Sequence, residues 1–335
     1  GLSTTFSNRA DAAGTDTCTW TGVGSSVAWS EAANWSACSG GVPVNGDTLL
    51  FPNGPTNKIS VNDIAGLSLK QIRFSGDDYA LTGASVTLTP NTLFAVMFDG
   101  SGNNLGLDFT ISASSSRTIY SADDNTIGGN ITLSIVGGGL NINPDNDKTL
   151  TFNGSVSGSV TGAFKASENS STTIFNGASD FIASAISIPD DTNVICAKHD
   201  CFGDSANAIN LNGTGHLTFG LPFIDNDSII DNDIIVEGGG TIDGVDQTGV
   251  QLNGDLTLNG DLTLAGTGNI SQNGTTDLGD NTIHLIYGTY EVDLWGKVTG
   301  TGNVDCNGCF TGLGPDAVND YSGTTTVRNS GILYI

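Results

Sequence analysis

The 335-residue chain is acidic and sparsely charged, with 35 Asp and Glu against 10 Lys and Arg and a formal net charge of −25 at pH 7. Nucleic acids and anionic membranes bind clustered basic residues, so this balance argues against both as partners. No apolar run approaches 18 residues, so no membrane-spanning helix is predicted. Gly is about twice as frequent as usual and apolar runs are short, which predicts an all-β chain rich in turns.

The N-terminal part divides into two stretches. Residues 1–16 are small and polar without periodicity, and we expect a flexible arm, or else an arm that packs on another copy of the protein. Residues 17–55 contain three of the four tryptophans: Trp20, Trp29 and Trp35. Exposed aromatic clusters bind sugars, but rings beside a disulfide more often fill a small core. We predict an N-terminal cap over the edge of a stack of strands.

The middle of the chain repeats one short pattern, in which a turn rich in Gly, Asn, Asp or Ser precedes an alternating strand. Asn253–Leu264 is the clearest example, because Asn-Gly-Asp-Leu-Thr-Leu occurs twice in succession. Asn-Gly between alternating runs indicates a β-hairpin, but it also suits a corner between successive strands of a coil. Turn signals elsewhere lack matched strands on both sides, so we favour the corner.

These patterns predict a right-handed parallel β-helix, or β-solenoid, with a Trp and disulfide N-terminal cap. We expect one domain over residues 17–335, with residues 17–55 forming the cap region. A typical period of roughly 20–25 residues gives about 12–15 coils. At about 4.8 Å per coil, the rod would be roughly 60–70 Å long. A pair of β-sandwich domains is the alternative, but no linker or change in composition divides the chain.

Both ends of the chain carry motifs of a known family. Trp20-Thr-Gly22, Ala33-Asn-Trp35 and Val42-Pro-Val-Asn-Gly-Asp-Thr-Leu-Leu-Phe-Pro52 resemble the start of autotransporter-type passengers and related surface β-helix proteins. The segment Gly312–Ile335 is similar to the autotransporter-associated β-strand repeat, although Asp320 stands where that family usually has Asn or Thr. The resemblance implies a β-helix at a cell surface and leaves the activity open.

Six cysteines fall into three pairs that are close in sequence: Cys18 with Cys38, Cys196 with Cys201, and Cys306 with Cys309. Pairs of this kind predict disulfides in an extracellular, oxidising setting, although six cysteines allow 15 connectivities. Cys306-Asn-Gly-Cys309 also has the spacing of a redox or zinc motif, and Cys196–Cys201 could hold a soft metal. Neither has a partner motif, so we prefer disulfides that close turns.

Asp-Asn-Asp occurs three times, and two copies lie six residues apart. If they stack on adjacent corners, their carboxylates offer the oxygen ligands that Ca²⁺ prefers, which predicts a weak structural calcium site. The predicted ligands are Asp225, Asp227, Asp231 and Asp233. The alternative is that these residues bond their own backbone in turns. The EF-hand spacing is absent, and Gly238–Asp243 lacks one glycine of the nonapeptide calcium repeat.

Catalytic constellations are weak in this sequence. Asp77-Asp78, Asp123-Asp124 and Asp190-Asp191 are adjacent carboxylates, and neighbours in a strand point to opposite faces, so such a pair is no catalytic dyad. Arginines are scattered, and the three histidines have no sequence partner that suggests a triad. We therefore expect a protein that is not an enzyme.

Two functions follow from these observations. The first is an extracellular cell-surface structural protein, adhesin-like or fibre-forming, that associates with itself or contacts a host surface. Its assembly segment would be the final apolar strand: Gly331, Ile332, Leu333, Tyr334 and Ile335. Another copy could complete that edge by strand addition, and head-to-tail contacts of this kind give filaments. The alternative is a carbohydrate-active or carbohydrate-binding β-helix with a groove lined by aromatic residues: Tyr120, Tyr287, Tyr290 and Trp295.

Overall fold

The computed structural model describes residues 15–166, 170–198, 200–220, 228–245, 249–286, 291–314 and 319–334, with the backbone alone of Ser228 and Phe310. Across these ranges no helix has the length and apolar character needed to cross a lipid bilayer. The predicted arm, residues 1–16, lies outside them except for residues 15 and 16. Asp16 is anchored, because its carboxylate accepts a hydrogen bond from the Ser39 backbone N–H at 2.7 Å.

The described chain consists of short strands and one-turn corners, with a short 3-10 helix at Ala32–Asn34. The strands of the first half are β1 Thr17–Trp20, β2 Trp35–Ser36, β3 Thr48–Phe51, β4 Ile59–Asn62, β5 Leu67–Leu69, β6 Gln71–Phe74, β7 Ala80–Gly83, β8 Val86–Leu88, β9 Phe94–Phe98, β10 Asn104–Leu105, β11 Phe109–Ala113, β12 Arg117–Ser121, β13 Asn125–Ile127, β14 Ile131–Ile135, β15 Leu140–Pro144, β16 Thr149–Phe152, β17 Val156–Val160, β18 Phe164–Lys165 and β19 Thr172–Phe175.

The strands of the second half are β20 Ile186–Ile188, β21 Asn193–Cys196, β22 Ile209–Asn212, β23 His216–Phe219, β24 Ser228–Ile230, β25 Ile234–Glu237, β26 Gly239–Gly244, β27 Val250–Leu252, β28 Leu256–Leu258, β29 Asp261–Gly266, β30 Ile270–Gln272, β31 Thr276–Asp277, β32 Thr282–Ile286, β33 Val292–Leu294, β34 Val298–Thr299, β35 Asn303–Asn307, β36 Phe310–Gly312, β37 Thr325–Arg328 and β38 Ile332–Tyr334.

Successive strands belong to three different sheets in rotation, so each coil of the chain contributes to three faces of a parallel β-solenoid. The first face is a 14-stranded sheet that runs from β2 to β34, and the second is a 13-stranded sheet from β4 to β37. The third face consists of a five-stranded sheet (β5 to β17), a four-stranded sheet (β24 to β33) and the pair of β36 and β38. The predicted fold class is confirmed, and the sandwich alternative is wrong.

The period of the solenoid agrees with the prediction. Outside the cap, residues that pair across neighbouring coils are separated by as few as 19 positions, as in Leu67 with Val86, and by as many as 25, as in Ile209 with Ile234. Leaving out β1 and β2 of the cap, 12 of the 14 strands of the first sheet remain, one for each coil. At about 4.8 Å per coil, the stack is roughly 60 Å long.

The core is a column of apolar side chains inside the coils. Strand β14 alternates buried and exposed residues along its whole length, because successive side chains in a strand point to opposite faces. Equivalent inward residues therefore stack from coil to coil. The rings of Phe51, Phe74 and Phe98 form one such stack, with centroid separations of 5.2 and 4.8 Å. Each fully buried side chain of this size stabilises the fold by about 1.5–3 kcal/mol.

The N-terminal cap is confirmed as a small aromatic core. Trp20, Trp29 and Trp35 are buried, and the Trp35 ring makes edge contacts with the other two at 5.2 and 5.8 Å. Each indole N–H donates a hydrogen bond: Trp20 to the Asn57 carbonyl, Trp29 to Ser60 Oγ, and Trp35 to the Trp29 carbonyl. A buried indole needs such a partner, so these bonds fix all three rings.

The repeated hexapeptide forms a corner of the solenoid. The first copy of the hexapeptide ends with β28, in the first sheet, and the second copy contains the start of β29, in the second sheet. The two strands therefore do not pair with each other. The glycine between them packs closely on the preceding coil. A Cβ on Gly260 would lie 2.3 Å from the carbonyl carbon of Gly238 in the preceding coil, so this turn packs against backbone. The corner prediction is confirmed.

The third face is interrupted in the middle of the rod. Between β17 and β24, the described residues of two coils add no strand there, and a single bridge between Ser159 and Ile182 continues the ladder. The Cys196–Cys201 disulfide lies in this part of the chain. The strand pattern of the sequence did not predict this gap.

Candidate functional site

Aspartates at the corners act mainly as acceptors for the next coil. Asp233 Oδ1 accepts the Asp255 backbone N–H at 2.8 Å, and Asp255 Oδ1 accepts the Thr275 N–H at the same distance. Asp124 does the same for Thr149. At a corner the ladder of backbone hydrogen bonds is broken, so a side chain satisfies an N–H that would otherwise stay unpaired. The partner is therefore one coil away and not in the same turn.

The predicted calcium ligands are only partly described. Asp225 and Asp227 lie outside the described residues. Asp231 Oδ1 accepts a hydrogen bond from Asn253 Nδ2 at 2.8 Å, and Asp233 is engaged as above. Within the described part of the chain, no group of three or more His, Cys, Asp or Glu is placed to hold a metal ion. The calcium site stays a prediction.

The adjacent aspartate pairs also lie on corners. Asp190 Oδ1 accepts the Thr214 hydroxyl and backbone N–H, and these bonds lower the pKa of Asp190. Lys148 forms an ion pair with Asp123 at 2.8 Å, and its hydrogen bond lowers the pKa of that carboxyl. Asp77 Oδ1 accepts the Ser101 N–H at 2.9 Å. One member of each pair, or both, thus bonds a group of the next coil.

Two histidine–aspartate pairs on the second face were missed in the sequence. His216 Nε2 contacts Asp243 Oδ2, and His284 Nδ1 lies 2.9 Å from Asp305 Oδ2, which Arg328 also contacts. Burial raises the pKa of Asp305, but hydrogen bonds from His284 and Arg328 outweigh it, so the net shift is downward. These partners are 21–27 residues apart, about one coil. Aligning the sequence at that period would have found them.

The six cysteines form the three predicted disulfides, Cys18–Cys38, Cys196–Cys201 and Cys306–Cys309. The first ties β1 to the segment that follows β2. The third closes the corner between β35 and β36. No cysteine is left for a metal or a dithiol motif in the structure, since all six are bonded.

The two described aromatic residues proposed for a groove, Tyr120 and Trp295, lie on separate faces. Tyr120 projects from the first face, packs edge-on against Phe94 at 5.9 Å and donates a hydrogen bond to Asp145. Trp295 follows β33 on the third face, many coils away. Tyr287 and Tyr290 lie outside the described residues. Tyr120 and Trp295 therefore do not line one groove.

The two ends of the solenoid differ. At the N-terminal end the buried tryptophans cover the first coil, β2 pairs antiparallel to β1, and Ala28 bridges Val61 along the edge of β4. At the C-terminal end, Val327 pairs with Cys306 and so points inward, yet its side chain is 45% exposed. Of the predicted assembly segment, residues 332–334 form β38, Gly331 precedes it, and Ile335 lies outside the described residues.

The β38 segment and its neighbour leave apolar surface in contact with solvent. Ile332 is 48% exposed and Tyr334 57% exposed, while Leu333 is only partly buried against the core. Strand β37 is exposed along most of its length. Among the described residues, this end carries no cap that corresponds to the tryptophans of the other end.

Comparison of the chain with protein-family models, with curated proteins and with solved structures finds no match in any of the three. The resemblance to autotransporter passengers stays an expectation carried by the motifs at the two ends of the sequence.

Proposed function

We propose that this chain is a non-catalytic structural protein of an extracellular surface, and that copies associate end to end through the open C-terminal end of the solenoid. The occupant of that end is a second copy of the chain. The observation that carries the proposal is the asymmetry of the two ends. One end is closed by a buried aromatic core, and the other leaves inward-facing Val327 45% exposed.

The open end combines two features that favour association. Among the described residues no coil covers inward side chains such as Val327 and Leu333, so a second copy that covered them would remove apolar surface from water. Strands β37 and β38 are the outermost described strands of their sheets at this end, and an edge strand offers backbone groups to another chain. Contacts between unlike ends do not close on themselves, so they extend into a filament.

The extracellular location is part of the proposal. Three disulfides support it, because such bonds persist in oxidising compartments and are rare where thiols are kept reduced. The corner carboxylates support a structural role, because Asp124, Asp233 and Asp255 each accept a hydrogen bond from the backbone of the next coil. Adhesion to a host surface is a further role of the same kind, in which the rod displays its lateral faces.

The test places a charge inside the open end. In Val327→Asp the introduced carboxylate would be buried in the contact between copies, and burying an unpaired charge is strongly unfavourable. We expect filaments of the unmodified protein in negative-stain electron micrographs and only single rods of the variant. Light scattering after size-exclusion chromatography measures the same loss in solution.

Val136→Asp is the matched control, because Val136 is 65% exposed and follows β14 on the third face. This control should still form filaments. Monodisperse rods of the unmodified protein at high concentration would overturn the proposal, as would filaments that Val327→Asp leaves intact.

A further inference from the structure

One tryptophan of this protein differs from the others. Trp20, Trp29 and Trp35 are buried in the cap, whereas the Trp295 side chain is 45% exposed on the third face near the C-terminal end. Tyr334 lies on the same face and is 57% exposed. Large exposed aromatic rings that are held in place by neighbours mark binding surfaces, because their apolar area costs stability when it faces water.

On the third face, outward-facing residues of successive coils form a column, and this column brings the neighbourhood of Trp295 and Tyr334 together. Ser271 pairs with Asp293 in the ladder from β30 to β33, and the bridge from Leu294 to Leu313 continues that ladder to β36. Gly312 therefore follows Asp293 in the column, and it pairs in turn with Tyr334 of β38. At about 4.8 Å per strand, Asp293 and Tyr334 are roughly 10 Å apart.

Gly312 leaves a gap in this column. A Cβ placed on it would lie 3.7 Å from Asp293 Oδ1 and 3.9 Å from Cη2 of Trp295, so the indole ring reaches over the glycine backbone. Gly312 adds no side chain to the column between Asp293 and Tyr334.

Asp293 lies beside the indole. Its carboxyl accepts the Gly312 backbone N–H at 2.8 Å, and the same carboxylate oxygen and the indole ring both lie within 4 Å of the Cβ position of Gly312. Only 8% of Asp293 is exposed, although it points outward, because it lies beneath these groups. Burial raises the pKa of this carboxyl, and the hydrogen bond from the Gly312 backbone N–H acts in the opposite direction. Fixing a ring before binding reduces the entropy lost when a ligand docks.

We propose that Trp295 and Tyr334 form a lateral binding site for a neutral glycan, with a sugar ring packed on the exposed aromatic rings and Asp293 as the positioning residue. A pyranose presents an apolar C–H face that packs on an aromatic ring, and its hydroxyls can stay in water beside rings as exposed as Trp295 and Tyr334. The net charge of −25 repels anionic polysaccharides, which selects neutral chains. This site lies on a lateral face and does not depend on end-to-end association.

The experiment uses Trp295 as its own reporter. Cellohexaose, mannohexaose and xylohexaose are titrated separately into the full chain, with polygalacturonate as the anionic comparison, and tryptophan emission and the heat of binding are recorded. We expect at least one neutral probe to bind and to shift the emission of Trp295, while polygalacturonate gives no response. Trp295→Ala should weaken binding by about tenfold or more, equivalent to about 1.4 kcal/mol.

Positioning by Asp293 has a separate readout. Asp293→Ala should weaken binding and increase quenching of Trp295 by acrylamide, whereas Asp293→Asn keeps the shape of the side chain and an oxygen acceptor for the Gly312 N–H and should restore both. Val136→Ala, at another exposed position of the third face, is the control and should bind normally.

The proposal is overturned if no neutral probe binds, or if Trp295→Ala binds as tightly as the unmodified chain. Val327→Asp should retain glycan binding, which separates this result from that of the assembly test.

Discussion

Single residues at the corners decide how closely successive coils approach. A Cβ on Gly274 would lie 2.1 Å from the carbonyl oxygen of Gly254, and one on Gly254 would lie 2.1 Å from that of Asn232. Side-chain carbons do not approach backbone oxygens so closely, so these positions accept only glycine unless the stack shifts. The same corner carries the Asp233 and Asp255 hydrogen bonds, which hold the register.

Gly274→Ala tests this packing. The added methyl group must push neighbouring coils apart, and overpacking of this kind costs about 1–3 kcal/mol of unfolding free energy. Urea denaturation followed by circular dichroism measures the change. Gly40→Ala is the control, because the nearest atoms to a Cβ there are 3.8 Å away, and it should unfold like the unmodified protein. Equal stability of the two variants would contradict the packing argument.

The carboxylate of Glu31 holds a loop of the N-terminal cap in place. Glu31 accepts the backbone N–H groups of Ser25 and Ser26 at 2.6 and 2.7 Å and both of their hydroxyls. The hydrogen bond from the Ser26 hydroxyl is the largest cause of its pKa falling from 4.5 to about 2, followed by those from the two backbone groups. Glu31 thus braces the loop that leads into Trp29.

This shift makes the cap sensitive to acid. The folded-state pKa of Glu31 is below its unfolded value of 4.5, so its contribution to stability is complete above pH 4.5 and is lost as the pH falls toward about 2. Glu31→Gln should melt at a lower temperature than the unmodified protein near neutral pH, and the difference should shrink as the pH approaches 2. A difference that is constant with pH would contradict this. Glu291→Gln, an exposed carboxylate in another coil, is the control.

Strands and corners were predicted from the sequence wherever the local pattern was strong. The doublet at Asn253–Leu264 was interpreted as a corner, and β28 and β29 lie in different sheets as expected. The gap in the third face between β17 and β24 was not predicted, because segments there still contain apolar residues such as Phe181 and Phe202, which are buried without forming strands. Burial and strand pairing are separate properties, and the sequence pattern reports mainly the first.

At the scale of the whole molecule, the number of coils was predicted by dividing the chain length by a period typical of solenoids, roughly 20–25 residues. Contacts between coils were harder to predict. The His284–Asp305–Arg328 cluster and the placement of Trp295 over Gly312 join residues 17–23 positions apart, which the strand register alone brings together. Register depends on the length of every intervening turn, so a local pattern cannot fix it.

The net charge of the whole chain sets the conditions for the proposed assembly. Copies that each carry a charge of −25 repel one another strongly at 0.01 M salt, where the screening length is about 30 Å. The repulsion is much weaker at 0.15 M salt, where the screening length is about 8 Å. We therefore expect filament length, measured by light scattering and electron microscopy, to increase with salt over this range. Val327→Asp should remain a single rod at every salt concentration, which separates specific contact from general precipitation. Filaments that are longest at low salt would contradict an apolar end-to-end contact and would instead indicate attraction between charged groups.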